Sequence, residues 1–254
     1  MVGNTWAMQP LTEALWNGGT VDMESRGTQI ARLFCSLRDA LKALEARFMA
    51  VKDIPEPLIP PMFPFLTSFF DRATQAEERL SYHDRLHFRD KGRAGTAIFS
   101  ASLKNGDAVF VKFATRYNAS AHELLADAGL APRLRYFSEL KPGETHFMVV
   151  MDRIAGHDML GEQFQKQDLI RVQNAKNLLH ENDFVFGDLR PNNMVKPMDE
   201  TGVVLVDFDW CGKDGVDKYP LFINKLACEW HRDVRGGAIM RKDHDDHLFE
   251  RLGP

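Results

Sequence analysis

The chain has 254 residues, 36 acidic and 32 basic, with a formal charge of −4. Hydrophobic residues make up 44% and charged residues 27%, a globular balance that excludes a disordered chain. The acidic balance gives no whole-protein case for non-specific nucleic-acid binding, which needs a basic surface, and the longest proline-free apolar run, residues 147–151, is far short of the about 20 residues that span a bilayer.

Residues 1–20 carry no clear period, and no basic start followed by an apolar stretch marks a signal peptide. Cys35, Cys211 and Cys228 lack paired metal-ligand spacing and do not read as a disulfide framework. Reduced thiols in a cytoplasmic or nuclear protein are expected. From about Thr28, Ile30, Leu33, Phe34, Leu37, Leu41, Leu44 and Phe48 recur at steps of three and four, predicting a helix with one apolar stripe. It should end near Lys52, because Pro55, Pro57, Pro60, Pro61 and Pro64 follow. The apolar residues between these prolines predict an extended strap on a core. Residues 1–80 are therefore expected to form a helical and proline-rich extension.

Residues 86–89, 96–103 and 108–113 read as three short strands. Lys91-Gly92-Arg93-Ala94-Gly95 and Lys104-Asn105-Gly106-Asp107 separate them, and the Asn-Gly pair is a hairpin signal. A helix over 120–128 stops at Gly129, with Pro132 beyond. Residues 134–137 and 147–151 add two strands, giving five strands with one helix inserted after the third. Asp168 is placed to cap a helix running to about His180. Residues 193–196 and 203–208 pair as a hairpin, and a last helix is expected over 243–252. The resulting divisions are 1–80, 81–155 and 156–254.

Four segments carry chemistry. In the strand 108–113, Val109, Val111 and Phe113 share one face while Phe110 and Lys112 share the other. A lysine between strongly apolar neighbours is either an edge residue that snorkels to water or a phosphate-binding lysine held by a carboxylate. Glu123 is the candidate carboxylate, although Ser120 to Glu123 also fits a capping box, and His122 reads as a surface residue. Asp188 and Asn193 lie five apart in a proline-containing loop, and Asp207 closes the apolar strand 203–206, where a carboxylate is costly unless it is paired or binds a cation. An Asp plus a carboxamide oxygen suits Mg²⁺, leaving Asp188 to deprotonate a hydroxyl. Asp243-His244-Asp245-Asp246-His247 reads as a solvated helix face rather than a chelate.

Together, Val111-Lys112, Glu123, Asp188-Leu189-Arg190-Pro191-Asn192-Asn193 and Asp207-Phe208-Asp209 resemble the protein-kinase-like superfamily in order and spacing. The runs Phe-Gly-Asp-Leu-Arg-Pro and Val-Asp-Phe-Asp-Trp-Cys-Gly are similar to those of fungal kinase-like proteins. The resemblance implies an α+β, bilobal fold, with a reduced C-lobe and the N-terminal extension. It implies ATP and Mg²⁺ as cofactors and a hydroxyl acceptor, protein or small molecule. Lys112 would contact the α- and β-phosphates and pair with Glu123, Asp188 would be the catalytic base, and Arg190 would steady the transferred phosphate. Asn193 and Asp207 would hold Mg²⁺, Gly92 and Gly95 would stand in a degenerate glycine-rich loop, and Phe110 would stack on the purine. Met151, Asp152 and Ile154 would belong to the hinge that reads the adenine edge. Phe186-Gly187-Asp188 stands where protein kinases have His-Arg-Asp. Asp209 replaces the glycine after Asp-Phe, which looks more like aminoglycoside and choline phosphotransferases. No Ala-Pro-Glu follows Asp207. An inactive, scaffold-forming pseudokinase is the alternative to a phosphotransferase.

Overall fold

The computed structural model describes residues 23–51, 64, 66–71, 74–86, 96–140, 145–199, 201–225 and 227–253. The expected strap between Pro55 and Met62, and Gly92 and Gly95, lie outside the described residues. Two compact units divide the chain, Met1–Pro64 and Phe65–Pro254, and each is described by itself. The first carries α1 (Met23–Val51), at the predicted place. No helix among the described residues is long and apolar enough to cross a membrane.

The second unit is built on six strands: β1 (Ser68–Asp71), β2 (Ala76–Leu86), β3 (Thr96–Leu103), β4 (Ala108–Ala114), β5 (Leu134–Phe137) and β6 (Phe147–Asp152). They form one sheet in the order β1-β2-β3-β4-β6-β5, and every neighbouring pair is antiparallel. This corrects the expected five strands: residues 68–80, assigned above to the extension, enter the sheet. The signal there is weak because β2 lies near the sheet's edge and is mostly polar, with Leu80 its one buried residue. The Asn-Gly turn joins β3 to β4 as predicted. Gly106 takes a left-handed φ of 91° there, and Asn105 accepts from the Asp107 amide at 3.0 Å.

Period-two alternation in β4 and β6 sends side chains into two separate cores. Val109, Val111, Met148 and Val150 pack with Phe69, Leu80, Ala101 and Leu103 on one face. Val149 and Met151, with Phe110 against them, face the larger core. Lys112 shares the second face with Phe110, as the alternation requires.

That larger core also takes α2 (Ala119–Asp127) and α3 (Lys166–Glu181). Asn118, and not Ser120, caps α2: its side chain accepts from the Ala121 amide at 3.0 Å. Asp168 is the third residue of α3 rather than its N-cap, and it closes a capping box on Gln165. It accepts from the Gln165 amide at 3.0 Å and from Lys196 at 2.9 Å.

Three small strands, β7 (Gly156–Asp158), β9 (Met194–Pro197) and β10 (Val204–Leu205), form a sheet in the order β10-β9-β7. The predicted hairpin is its β9–β10 pair. A two-strand ladder joins β8 (Phe184–Val185) to β11 (Gly212–Lys213), and α4 (Lys242–Phe249) packs near α3 and β8. Lys176 of α3 holds Asp246 of α4 and lies 5.4 Å from the Phe249 ring, fixing the two helices together.

Candidate active site

Lys112 is only 1% exposed, on the face of β4 that looks into the larger core. Its ammonium lies 2.6 Å from Asp207 Oδ1 and 2.5 Å from Asp209 Oδ1, and 5.5 Å from the centre of the Tyr117 ring. Burial alone would push its pKa down, but the two carboxylates outweigh burial and raise it, so the group is held as a cation. Asp207 is reached through a left-handed turn of the chain, φ 71°, which few non-glycine residues adopt. That turn follows β10 directly and brings the aspartate back to a lysine 95 positions earlier.

Phe208, between the two aspartates, is fully buried and anchors them. It stacks on His122 at 4.5 Å and meets Phe186 edge-on at 5.4 Å. His122 is fully buried too. Its Nε2–H donates to the Pro132 carbonyl at 2.7 Å, leaving Nδ1 to accept from the Tyr117 hydroxyl at 2.6 Å. Burial holds its pKa down at about 4, against the pull of the Pro132 carbonyl, and the Lys112 charge lowers it further.

The loop from Phe186 to Asn193 supplies the second cluster. Asp188 is buried, and its carboxylate accepts from Arg190 on both oxygens, Nε to Oδ1 and a second nitrogen to Oδ2 at 2.8 Å. The Asn193 amide group donates to the Asp188 carbonyl at 2.9 Å and to its Oδ2 at 2.8 Å. Arg190 also lies 5.3 Å from the Trp230 ring, which stacks on Trp210. The two clusters are neighbours through the backbone: the Val206 amide, one residue before Asp207, donates to the Asn193 carbonyl at 2.9 Å.

Two residues shape this loop from behind. Gly187 has φ 80°, and a Cβ there would lie 2.4 Å from Met240 Cε and 3.2 Å from the Trp210 carbonyl, so any side chain at this position is strained. Asp245 on α4 is fully buried. Its two oxygens accept from the Phe186 amide at 2.7 Å and the Gly187 amide at 2.8 Å, and His180 lies 3.1 Å away. A carboxylate on two backbone amides fixes the course of the chain just ahead of Asp188.

Lys112 and Asp207 thus meet, and so do Asp188, Arg190 and Asn193. Glu123 does not join them. It lies on the exposed face of α2, and no ion pair links it to Lys112 among the described residues. The cap at Asn118 sets the helix so that Ala121, His122 and Leu125 point inward, which turns Glu123 to solvent and makes His122 the buried residue. Asp209 takes the place expected for Glu123 at the lysine. Phe110 is half-buried against the larger core, with Arg153 5.6 Å from its ring. The expected hinge begins inside a strand. Met151 is buried in β6 opposite Phe110, and the Asp152 and Arg153 amides already donate to the Arg133 and Ala108 carbonyls, each at 3.0 Å. Asp152 holds Arg135, and Ile154 is half-buried just past the strand. Asp245 carried no local signal, because its neighbours are charged and only the docking of α4 decides which one faces inward.

No group of three or more His, Cys, Asp or Glu side chains suited to a metal ion occurs among the described residues. A hard cation here would draw on the Asp207 carboxylate and the Asn193 carboxamide oxygen, which now accepts from Asn192 at 3.0 Å, and would complete its shell from phosphate oxygens and water.

Neither a family model nor a curated protein matches the chain. Among solved structures it is similar to the Cydia pomonella granulovirus kinase PK-1, at 16% identity and a TM-score of 0.46, over 54% of this chain. The match covers 53% of that kinase, about half its length.

Two measurements check the geometry. Asp245→Ala leaves the Phe186 and Gly187 amides buried without an acceptor and is expected to lower unfolding stability by about 2–6 kcal/mol in urea, at ~1–3 kcal/mol per unsatisfied group; a loss under about 1 kcal/mol would contradict the role given to Asp245. For His122, the folded pKa lies below the unfolded one. The unfolded chain therefore takes up the proton first, and stability present above about pH 6.5 drains away as pH falls toward 4, by roughly 3 kcal/mol in all. Imidazole resonances followed by NMR should show His122 neutral at pH 5, whereas a midpoint near 6.5 would mean the ring is not sealed.

Proposed function

We propose that the chain is an ATP- and Mg²⁺-dependent phosphotransferase with a kinase-like fold, in which the β4 sheet forms one lobe and the α3–α4 region a reduced second lobe. The observation that carries this reading is the buried Lys112 ammonium held against Asp207, one peptide from the Asn193–Val206 contact that leads to Asp188. Such a cluster offers a cation for phosphate oxygens beside carboxylate and carboxamide oxygens for a divalent ion. Phosphoryl transfer needs mainly positioning and charge neutralisation, which these groups supply.

In this reading Lys112 leaves one aspartate to contact the α- and β-phosphates, and Asp207 and Asn193 turn oxygens to Mg²⁺. Held by these two residues, a divalent ion would supply charge neutralisation for the phosphates. Asp188 takes the proton of the acceptor hydroxyl as its oxygen bonds to the γ-phosphorus and ADP departs. Arg190 must first release Asp188, and from the same place it can follow the transferred phosphate. The acceptor is a hydroxyl of a protein or a small molecule. The site of action is the cytoplasm or nucleus.

One observation favours a second reading, an inactive pseudokinase acting as a binding scaffold: both cations of the site, Lys112 and Arg190, already hold carboxylates. Asp209 gives Lys112 a second carboxylate, and Arg190 covers both oxygens of Asp188.

Thermal unfolding with millimolar ATP, with and without Mg²⁺, separates the readings, since a ligand of the native state raises stability by mass action. The phosphotransferase requires a Mg²⁺-dependent rise that Asp207→Ala removes, and ATP turnover that falls by about 100-fold or more in Asp188→Ala. No rise with either form of ATP favours the scaffold, and a rise unchanged in Asp207→Ala refutes the ligand assignment.

A further inference from the structure

Helix α1 belongs to the first unit, and the catalytic reading makes no use of it. Six of its apolar residues, Ile30, Phe34, Leu37, Leu41, Leu44 and, in sequence, Phe48, are spaced by alternating steps of four and three, with Leu33 beside them on one flank. The six follow the ~3.5-residue repeat of a two-helix seam. The seam is open: Phe34 is 63% exposed, Leu37 49%, Leu41 56% and Leu44 50%. Exposed apolar side chains in such a row suit a partner helix.

The charges flanking the seam identify the occupant. Arg38 and Glu45 each follow a seam leucine, Leu37 and Leu44, so they line the same flank one heptad apart. We propose that α1 pairs antiparallel with α1 of a second copy of this chain, with Leu41 set against Leu44 of the other helix. In this register Arg38 faces Glu45 of the second copy. The two-fold axis repeats the pair, giving two opposite-charge contacts in an isologous, closed interface. Sliding by one heptad sets Arg38 against Arg38 in one direction and Glu45 against Glu45 in the other. A parallel, in-register pair places Leu33 beside Arg38 and Ala40 beside Glu45, neutralising neither charge. Arg38 now pairs with its neighbour Asp39 at 3.0 Å, with both side chains over 60% exposed, a contact easily exchanged. The inference is independent of the chemistry at Lys112.

Sedimentation velocity on the full chain across the micromolar range tests it. The unaltered protein should be a dimer. Arg38→Glu and Glu45→Arg should each weaken it by roughly tenfold, because each turns two attractions into two repulsions between exposed side chains. The double variant Arg38→Glu/Glu45→Arg should restore it, and Leu41→Asp should abolish it. These positions are exposed, so the remainder of the fold should keep its unfolding midpoint. A monomer throughout, an assembly larger than a dimer, a dimer indifferent to these changes, or single reversals that the double variant fails to repair would each overturn the proposal.

Discussion

A full positive charge inside an apolar core is the constraint around which the second unit is arranged. Taking an ammonium out of water costs several kcal/mol and is tolerated only with close counter-charges. Lys112 is carried on a central strand and cannot reach water, so two carboxylates must come to it. They come from the turn after β10, and the left-handed backbone at Asp207 is the local distortion that allows this. One ion cluster thereby ties the large sheet to the small one. It also leaves an excess of one negative charge.

Around this cluster the supports are aromatic and backbone contacts rather than further charges. Phe208 sits between the two aspartates and is clamped by His122 and Phe186, so the positions of the carboxylates depend on rings from α2 and from the loop ahead of Asp188. The same loop is gripped from its other side by Asp245. Burial, helped by the Lys112 charge, keeps His122 neutral, which is why the ring and the charged Lys112 can stand close together without conflict. The hydrogen bonds fix the rings' tilt, and the rings fix the aspartates.

Much of this arrangement was legible in the residues. Alternation in β4 separated Val109 and Val111 from Phe110 and Lys112, and the turn chemistry of Asn105-Gly106 located the hairpin before it. The burden placed on Asp207 by its apolar strand also anticipated a charged partner. The misreadings share a cause. Whether His122 or Glu123 points inward depends on a one-residue choice of helix phase, and Asn118 settles it through a cap that looks no stronger in sequence than Ser120. Asp245 is one acid in a charged run, and its burial follows from how α4 docks on α3. The polar strand β2 shows little periodicity because only one of its residues is buried, so nothing local distinguished it from an extension.

Lys112 is a buried cation that depends on Asp207 and Asp209, and a comparison of unfolding free energies tests this most directly. Urea unfolding of Lys112→Met should show a loss of about 3–5 kcal/mol, the scale for stranding buried charges. The triple variant Lys112→Met/Asp207→Asn/Asp209→Asn, with no charge left to strand, should recover most of it. A Lys112→Met protein as stable as the unaltered chain, or a triple variant no better than the single one, would contradict the account.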